Sequence, residues 1–471
     1  MPKVFSVEDF RRGLDTRRTA LTAPAGSLRI LENAVINPGG EVAKRFAFVY
    51  AATAPMTPTP WTMIGQNTTL HVFGCPTAPT LVGSVPVPVV YHNLEDPGEP
   101  IVTFHDVEAF ADKFYVSAHG TTQSFNWYDG LLVHDANPAN LIHGTYARTY
   151  KTKMYRADAF YMRFSGVGDP AEQDPADTIA PGAGFIHMAQ NDPDAEPVLA
   201  LEVFYSNMAA FSRLATQIWK LDPDPTLDEL QQVIRVGTVA PRSVHQLYTG
   251  DIMFLSDSGI RSLKTLSGIN VAGTSDVGAP IDLIISPLVR DFPGTAGAAC
   301  AMIQPAFGRY WLHIGGTIYV LNYFPAGEIT AWSTFDPGFL VQNFAVVGGD
   351  IAVQSTTGDL YFYGGPSRSE YDSSKVTVRT PHLDNKSPTE NKRIKSVDVM
   401  CEGAWSVKMG MLPNNLNAFE LVANISNNTF GLQSIPFAGY GTHFGFELTH
   451  QAPGPALLAA IHVNIIEGYT K

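Results

Sequence analysis

The chain has 471 residues, 45% of them hydrophobic and 16% charged, with a formal net charge of −13. That is ample apolar material for a core and more chain than one average domain needs. The acidic balance argues against a general nucleic-acid binder, which needs clustered Lys and Arg, but it leaves room for a surface along which DNA slides without sticking. Aromatic residues reach 11%, and 41 glycines and 34 prolines break the apolar runs into short pieces. Short runs bounded by turn residues favour many strands over long helices, so the expected class is mainly β.

The first 60 residues read as an extended N-terminal arm and hairpin. Pro24-Ala25-Gly26 and Asn37-Pro38-Gly39-Gly40 are turn signals. Leu28, Ile30 and Val35 suggest a strand, and Val42, Phe46, Phe48 and Tyr50 suggest its partner. Pro55, Pro58 and Pro60 then stiffen a linker. Residues 1–45 hold eight Lys/Arg against five acids. Arg11, Arg12, Arg17, Arg18, Lys44 and Arg45 are therefore the candidate interaction residues, with the four arginines anchoring the arm on a neighbouring subunit or on an adaptor protein above it. The plain alternative is a solvated basic terminus.

From 61 to 365 a loose theme recurs: apolar strand, Gly/Asp/Asn turn, aromatic-rich strand. Examples are MIGQNTTLHVFG (63–74), TGDIMFLSDSGIRSL (249–263), RYWLHIGGTIYVLNYF (309–324) and GGDIAVQSTTGDLYFYGG (348–365). Hairpins repeated at irregular spacing point to a β-propeller-like body with degenerate blades, a β-sandwich being the alternative. An acidic, Pro-rich insertion is expected at 164–212, which holds no Lys or Arg. Asp169, Glu172, Asp174, Asp177, Asp192, Asp194 and Glu196 would form a loop facing a channel or a neighbour. Residues 197–221 read as a strand ending in a short helix. Thr226 followed by Glu229 matches a capping box, so a further helix is expected with Leu227, Leu230 and Ile234 on one face. From 366 to 471 period-two patterns, such as Trp405, Val407 and Met409, predict a C-terminal antiparallel β-sandwich.

No constellation commits the chain to catalysis, and no cofactor is expected. The GxSxG, HExxH, Walker and Rossmann patterns are missing from the sequence. His105 with Glu108, and His134 with His143, are the best metal-ligand candidates, but positions i and i+3 of a strand face opposite sides. Asp222 and Asp224 resemble the start of a calcium loop whose sixth and twelfth positions are Leu227 and Val233, not the Gly and Glu that such a loop needs. The acidic loop could in principle supply paired carboxylates for glycoside hydrolysis. Trp127, Tyr128, Trp311 and Trp332 either stack on sugars or, as the plainer reading has it, fill the core. Cys75, Cys300 and Cys401 imply neither a zinc site nor a disulfide framework. The opening MPKVFSVEDF lacks the apolar segment of a signal peptide, and no run is long enough to span a membrane, so a soluble protein made in a reducing cytoplasm is expected.

The order of several motifs resembles the tail nozzle, or tail tubular, proteins of short-tailed bacteriophages and the related packaged-DNA stabilisation subunits. Near the start stand Gly13-Leu14-Asp15, Pro24, Gly26, Leu31-Glu32-Asn33-Ala34 and Gly39-Gly40-Glu41-Val42-Ala43-Lys44-Arg45. In the middle, Gly250-Asp251-Ile252-Met253-Phe254-Leu255-Ser256 leads to Gly259-Ile260-Arg261-Ser262-Leu263 and then Ser275-Asp276-Val277-Gly278-Ala279-Pro280-Ile281-Asp282. The resemblance covers about half of the chain and none of its motifs is catalytic. It implies a non-enzymatic virion protein of the phage tail, assembled in the host cytoplasm. It further implies a homohexameric ring below the portal and its adaptor, contacts with tail fibre or tail tip proteins, and genomic dsDNA retained in and ejected through the centre without sequence specificity. The competing expectation is a carbohydrate-binding or carbohydrate-degrading propeller of the virion.

Overall fold

The computed structural model describes the chain apart from residues 1–2, 54–61, 75–79, 83, 93–100, 112, 121–123, 129–130, 134–144, 171, 173, 177, 179–180, 191, 193, 248–249, 267–270, 325–326, 430–433 and 468–471. Within the described residues the fold is mainly β, with two short α-helices at Asp282–Asp291 and Pro293–Gly297.

Local chemistry explains the hairpins. Arg309–Ile314 and Thr317–Phe324 pair antiparallel across Gly315-Gly316, whose φ values are +62° and +86°. Val341–Val347 and Asp350–Ser355 do the same across Gly348-Gly349, at +55° and +91°. A two-residue turn with both φ values positive matches the twist of the strands it joins, and glycine takes that conformation without steric cost.

Seven small sheets, counted among the described residues, follow one another along the body. The first holds Thr62–Gln66, Thr69–Phe73 and Val89–His92, the last of these parallel to its neighbour. The second to fifth are four-stranded antiparallel sheets whose first strands are Ile101–Phe110, Tyr146–Tyr150, Ala200–Phe204 and His245–Gln246; the sixth is the antiparallel run of four strands from Cys300–Gln304 to Ile329–Phe335 that opens a larger sheet. The seventh holds Val341–Val347, Asp350–Ser355 and Leu360–Tyr363, and takes Phe48–Thr53 from the other end of the chain as its next strand, in the register Phe362↔Val49 and Tyr363↔Phe48. Each first strand packs against the first strand of the next sheet, and that of the seventh packs against that of the first. At this last contact a Cβ on Gly65 would lie 2.0 Å from the Val346 carbonyl oxygen, so only glycine permits the approach.

Beyond the seven sheets lie two that face each other. One contains Ile435–Gly441, Lys392–Glu402, Leu457–Glu467, Val42–Lys44 and Ala34–Ile36, and Lys3–Val7 adds to it along Leu457–Glu467. The other runs on from the sixth sheet through Ile30–Glu32 to Val376–Arg379, Gly445–His450, Trp405–Gly410 and Glu420–Ile425. Alternation sends Ile394, Val397, Val399 and Cys401 inward from one sheet and Trp405, Val407 and Met409 from the other. All belong to one apolar core that continues through Leu14, Leu31, Ile281 and Trp332 into the body.

Several expectations need correction. The described residues 3–53 do not stand as an extended arm: the expected hairpin forms, Ala34–Ile36 with Val42–Lys44, but their strands are shared among the facing sheets, the sixth sheet and the seventh. Residues 164–212 are not one insertion. Gly184–His187 completes the third sheet, and Ala200–Phe204 and Asn207–Phe211 open the fourth, leaving loops at 165–183 and 188–199. Residues 197–221 contain strands and no helix, since Thr216–Lys220 pairs with Asn207–Phe211. The helix expected after Thr226 is a strand, Glu229–Ile234, paired with Thr216–Lys220. Only a 3-10 turn, Pro225–Leu227, precedes it, capped by Asp224 rather than by Thr226. Ladder hydrogen bonds and burial against the neighbouring strand override a local helical pattern.

Candidate functional site

The seven first strands converge on a cavity of about 520 Å³. On Ile101–Phe110, Asp106 and Glu108 stand two residues apart and so project to the same face. Across the contact with the third sheet, the Asp106 carboxylate accepts from the backbone N–H of Ala147 (3.1 Å), and that of Glu108 accepts from the N–H of Thr149 (2.9 Å). Arg148, between those two amides, puts Nη1 at 2.9 Å from Asp106 Oδ2 and 3.8 Å from Glu108 Oε2. Its Nε lies 3.4 Å from Glu202 Oε2 on the fourth sheet, and Glu202 Oε1 accepts from the N–H of Val203 at 3.0 Å. One guanidinium thus gathers three carboxylates from two other sheets.

Burial sets the electrostatics. It pushes Glu108 up to about 7 against the pull of Arg148, and it raises Glu202 as well. Burial alone would lower the Arg148 pKa, but Asp106, Glu202 and Glu108 outweigh it and hold the guanidinium charged. His245, at the same cavity, is pushed down to about 4 by burial, with the Arg148 charge adding to the effect. Tyr146 is pushed up to about 12 by burial.

Two further ties cross the same region. Arg242 Nη1 donates to the Gln342 carbonyl at 2.8 Å and its Nη2 to the Ala298 carbonyl at 3.1 Å. Asn343 Nδ2 donates to Thr62 Oγ1 at 3.1 Å, joining the seventh sheet to the first. The ionic groups are therefore spent on each other and on backbone amides, as in an ionic clamp between adjacent sheets. The volume is nonetheless within the range of small-molecule pockets, which run from about 300 to 1,000 Å³. Among the described residues no group of three or more His, Cys, Asp or Glu is placed to hold a metal ion, and no helix is long and apolar enough to cross a membrane.

The residues singled out from sequence fall elsewhere, with two exceptions: His105 and Glu108 both line the cavity. Arg11, Arg12, Arg17 and Arg18 are exposed, with Arg11 at 3.5 Å from Asp9 and Arg17 at 2.7 Å from Asp15. Lys44 and Arg45 are buried instead. Lys44 Nζ donates to the carbonyls of Asp372 (2.6 Å) and Ala452 (2.8 Å). Arg45 donates to Asn33 Oδ1 (2.9 Å) and to the Asp336 carbonyl (2.9 Å), and pairs with Asp372 at 3.0 Å. They are internal ties and offer nothing to a neighbour.

The described acidic residues are scattered and none of them lines the cavity. Asp192 is buried against Arg235 at 2.8 Å, while Asp194 is exposed. Glu196 accepts from Leu214 N and Asp174 from Ala176 N. Glu172 accepts from Asp174 N, and Asp169 is an exposed residue that bridges to Gly166. Asp177, His134, His143 and Cys75 lie outside the described residues, as do the side chains of Trp127 and Tyr128. Trp311 and Trp332 are fully buried core residues, and Asp222 and Asp224 cap turns. Sequence reasoning missed Arg148 and Glu202. The i, i+2 spacing of Asp106 and Glu108 was a usable signal, but nothing local marks their partners.

The motifs that ordered the chain meet in space. Thr16 N and Oγ1 both donate to the Pro280 carbonyl, at 2.8 and 2.9 Å. Arg261 pairs with Asp276 and Asp282, each at 3.1 Å. Cβ atoms on Gly259 and Gly278 would strike Asp282 and the Ile260 carbonyl. Trp332 Nε1 donates to the Val277 carbonyl at 2.9 Å, and a Cβ on Gly13 would lie 2.7 Å from the Trp332 carbonyl oxygen. Gly13–Thr16, Gly259–Arg261 and Asp276–Asp282 thus form one junction between the N-terminal segment and the body.

No protein-family model and no curated protein matches the chain. Solved structures resemble it distantly. The extracellular domain of BT4673 from B. thetaiotaomicron is 6% identical with a TM-score of 0.38, covering 75% of this chain and 43% of that one. Hsv2 from Kluyveromyces lactis is 10% identical with a TM-score of 0.32, covering 58% and 72%. BamB from Moraxella catarrhalis is 10% identical with a TM-score of 0.35, covering 77% and 97%. This chain spans less than half the length of the BT4673 domain, and the fold description rests on its own strand pairing and packing.

Proposed function

We propose that the chain is a non-enzymatic subunit of a virus particle, a tail nozzle protein of a short-tailed bacteriophage. In this reading the body is a closed seven-bladed propeller, the two facing sheets are a β-sandwich, and copies assemble into a ring below the portal adaptor. DNA passes through the ring and tail fibre or tip proteins bind it. The observation that carries the reading is the junction just described. Residues 13–16, 259–261 and 276–282, far apart in sequence, belong to the motifs that carry the resemblance and pack against one another through glycine approaches and satisfied ion pairs. Such a junction fixes geometry, which is what a ring building block requires. Two further features fit: Lys3–Val7 pairs with Leu457–Glu467, and Phe48–Thr53 pairs with Leu360–Tyr363, so the segment at one end of the sequence locks both halves. The test is negative-stain imaging of particles and of the purified full chain. A six-fold annulus with a duplex-wide bore supports the reading; a lone monomer with no annulus in particles refutes it.

The cavity favours a second reading, a propeller that binds a small polar ligand such as a sugar. It predicts saturable thermal stabilisation of the purified chain by oligosaccharides, abolished in Glu108→Gln. The nozzle reading predicts no such shift.

A further inference from the structure

Two surfaces of opposite charge lie on opposite rims of the body. The first is a knuckle at residues 9–29, with five arginines against two aspartates. Its base is fixed: Thr16 is bonded to Pro280, Arg17 to Asp15, and Arg29 Nη1 to the Asp15 carbonyl at 3.0 Å. Arg12 and Arg18 are exposed, and neither side chain makes a hydrogen bond or ion pair with any described residue. Pro280 precedes the helix that carries the chain from the last strand of the fifth sheet to the first strand of the sixth. Thr16 thus meets the rim where one sheet hands over to the next, while the Ala20 carbonyl accepts from His382 N at 2.8 Å and Arg29 N donates to the Arg379 carbonyl at 2.7 Å, so the knuckle also rests on the facing sheets.

The second surface is built from the described residues of 165–183 and from the loop 221–228, and neither stretch of sequence contains a Lys or Arg. Both join the third strand to the fourth strand of their sheets, and antiparallel alternation puts such loops on the other rim. The loops touch: a Cβ on Gly182 would lie 2.9 Å from the Pro223 carbonyl oxygen. Two cations lie beneath them, Lys153 donating to the Gly182 carbonyl at 2.7 Å and Lys151 to the Leu221 carbonyl at 2.6 Å, and the Lys153 charge acts on Asp222, Asp224 and Asp228. Two cations offset only part of the acids: Asp169, Asp174 and Asp224 are exposed on that rim, with Glu172, Asp222 and Asp228 beside them.

We propose that the arginine knuckle of one copy docks on the acidic loops of the next, through Arg12 and Arg18 against Asp174 and Asp224. Because the patches differ, the contact is heterologous, and repeating it generates a closed ring or an open stack. The contact depends on the ring reading only for its closure. The contact itself follows from the segregation of charge, and since both surfaces are exposed, salt weakens it over a screening length of about 8 Å at physiological ionic strength.

The test is sedimentation of the full chain across salt and protein concentration, with two variants, R12E/R18E and D174K/D224K. Unchanged thermal unfolding of each variant establishes that it is folded. Wild type is expected to associate at low salt and dissociate at high salt. Each variant should associate at least tenfold more weakly, and an equimolar mixture of the two should recover association, because each supplies the surface that the other has lost. A wild type that stays monomeric at low salt, variants that associate as it does, or a mixture that stays apart would each overturn the proposal. Rings seen by imaging but indifferent to these substitutions would discard this contact and leave the nozzle reading standing. Normal, salt-sensitive association without an annulus in particles would do the reverse.

Discussion

Among the described residues Arg148 carries the most concentrated electrostatic load, because its guanidinium is the shared partner of Asp106, Glu108 and Glu202. Removing it leaves three carboxylates in a cavity with only backbone amides to meet them. Breaking one side of a buried ion pair costs about 3–5 kcal/mol, most of it from the stranded charge. Arg148→Ala is expected to lower the unfolding free energy by an amount in that range, measured by urea denaturation at neutral pH, and Glu202→Gln should cost clearly less because Arg148 keeps two acceptors. Equal effects would mean that the clamp is not shared. At this scale the sequence was half legible. Asp106 and Glu108 share a strand face and can be read as a pair, but Arg148 comes 40 residues after Glu108 and is placed by the packing of two sheets. Lys44 and Arg45 show the opposite failure. Charge alone suggests exposure, yet both are buried because carbonyls at Asp372, Ala452 and Asp336 and the Asn33 amide take up their donors. A long cation is tolerated inside once its donors are met.

Individual elements were legible where the turn chemistry is unforgiving. Gly315-Gly316 and Gly348-Gly349 specify hairpins because few other residues accept two consecutive positive φ values. Residues 226–234 were misread for the complementary reason. Leu227, Leu230 and Ile234 fit a helical face, while the strand Glu229–Ile234 exists because Thr216–Lys220 offers it a ladder. The element with the greatest leverage is Phe48–Thr53. It lies between Leu360–Tyr363 and Thr80–Leu81 and donates to both ladders, so it is an interior strand. Proline in such a strand removes a ladder hydrogen bond and is confined in nature to edges and bulges. Val49→Pro, opposite Phe362, is expected to destabilise the protein by about 3 kcal/mol or more. It should also make the seventh sheet the first to exchange amide hydrogens, read by hydrogen exchange over Asp350–Tyr363. Protection there equal to wild type would mean that the N-terminal strand does not close this sheet.

The whole molecule is tied together by contacts between residues some 260 to 460 positions apart, which no local pattern announces: Lys3 with Ile465, Phe48 with Tyr363, Thr16 with Pro280. A mainly β class and repeated hairpins could be read from composition and spacing, but the cyclic packing of first strands and the sharing of residues 1–60 could not. This integration has a consequence for pH. His313 and His382 are buried and pushed down to about 4, chiefly by burial, and half-buried His245 behaves alike. Neither ring nitrogen of His382 has a hydrogen-bond partner, and the ring is wedged where Cβ atoms on Gly410 and Gly445 would collide with it. A histidine with a depressed native pKa binds protons better when unfolded. Its stabilising contribution is therefore complete above about 6.5, falls as the pH drops towards 4, and is level below that. At pH 5 each fully buried ring costs about 2 kcal/mol relative to pH 7. Glu108, raised to about 7, has the opposite sign: its native form holds the proton more tightly, so its contribution is largest at low pH and is lost as pH rises from about 4.5 to 7. That offsets roughly one histidine and leaves the others in control, so thermal stability should fall steadily from pH 6.5 to 4. His382→Leu tests the assignment, since it removes a buried proton acceptor whose polar atoms are unpaired and keeps a similar volume. It should leave stability at pH 7 within about 1 kcal/mol of wild type, or raise it, and it should flatten the acid slope. A variant that loses stability on acidification as steeply as wild type would show that His382 takes up its proton without unfolding the junction around Gly410 and Gly445.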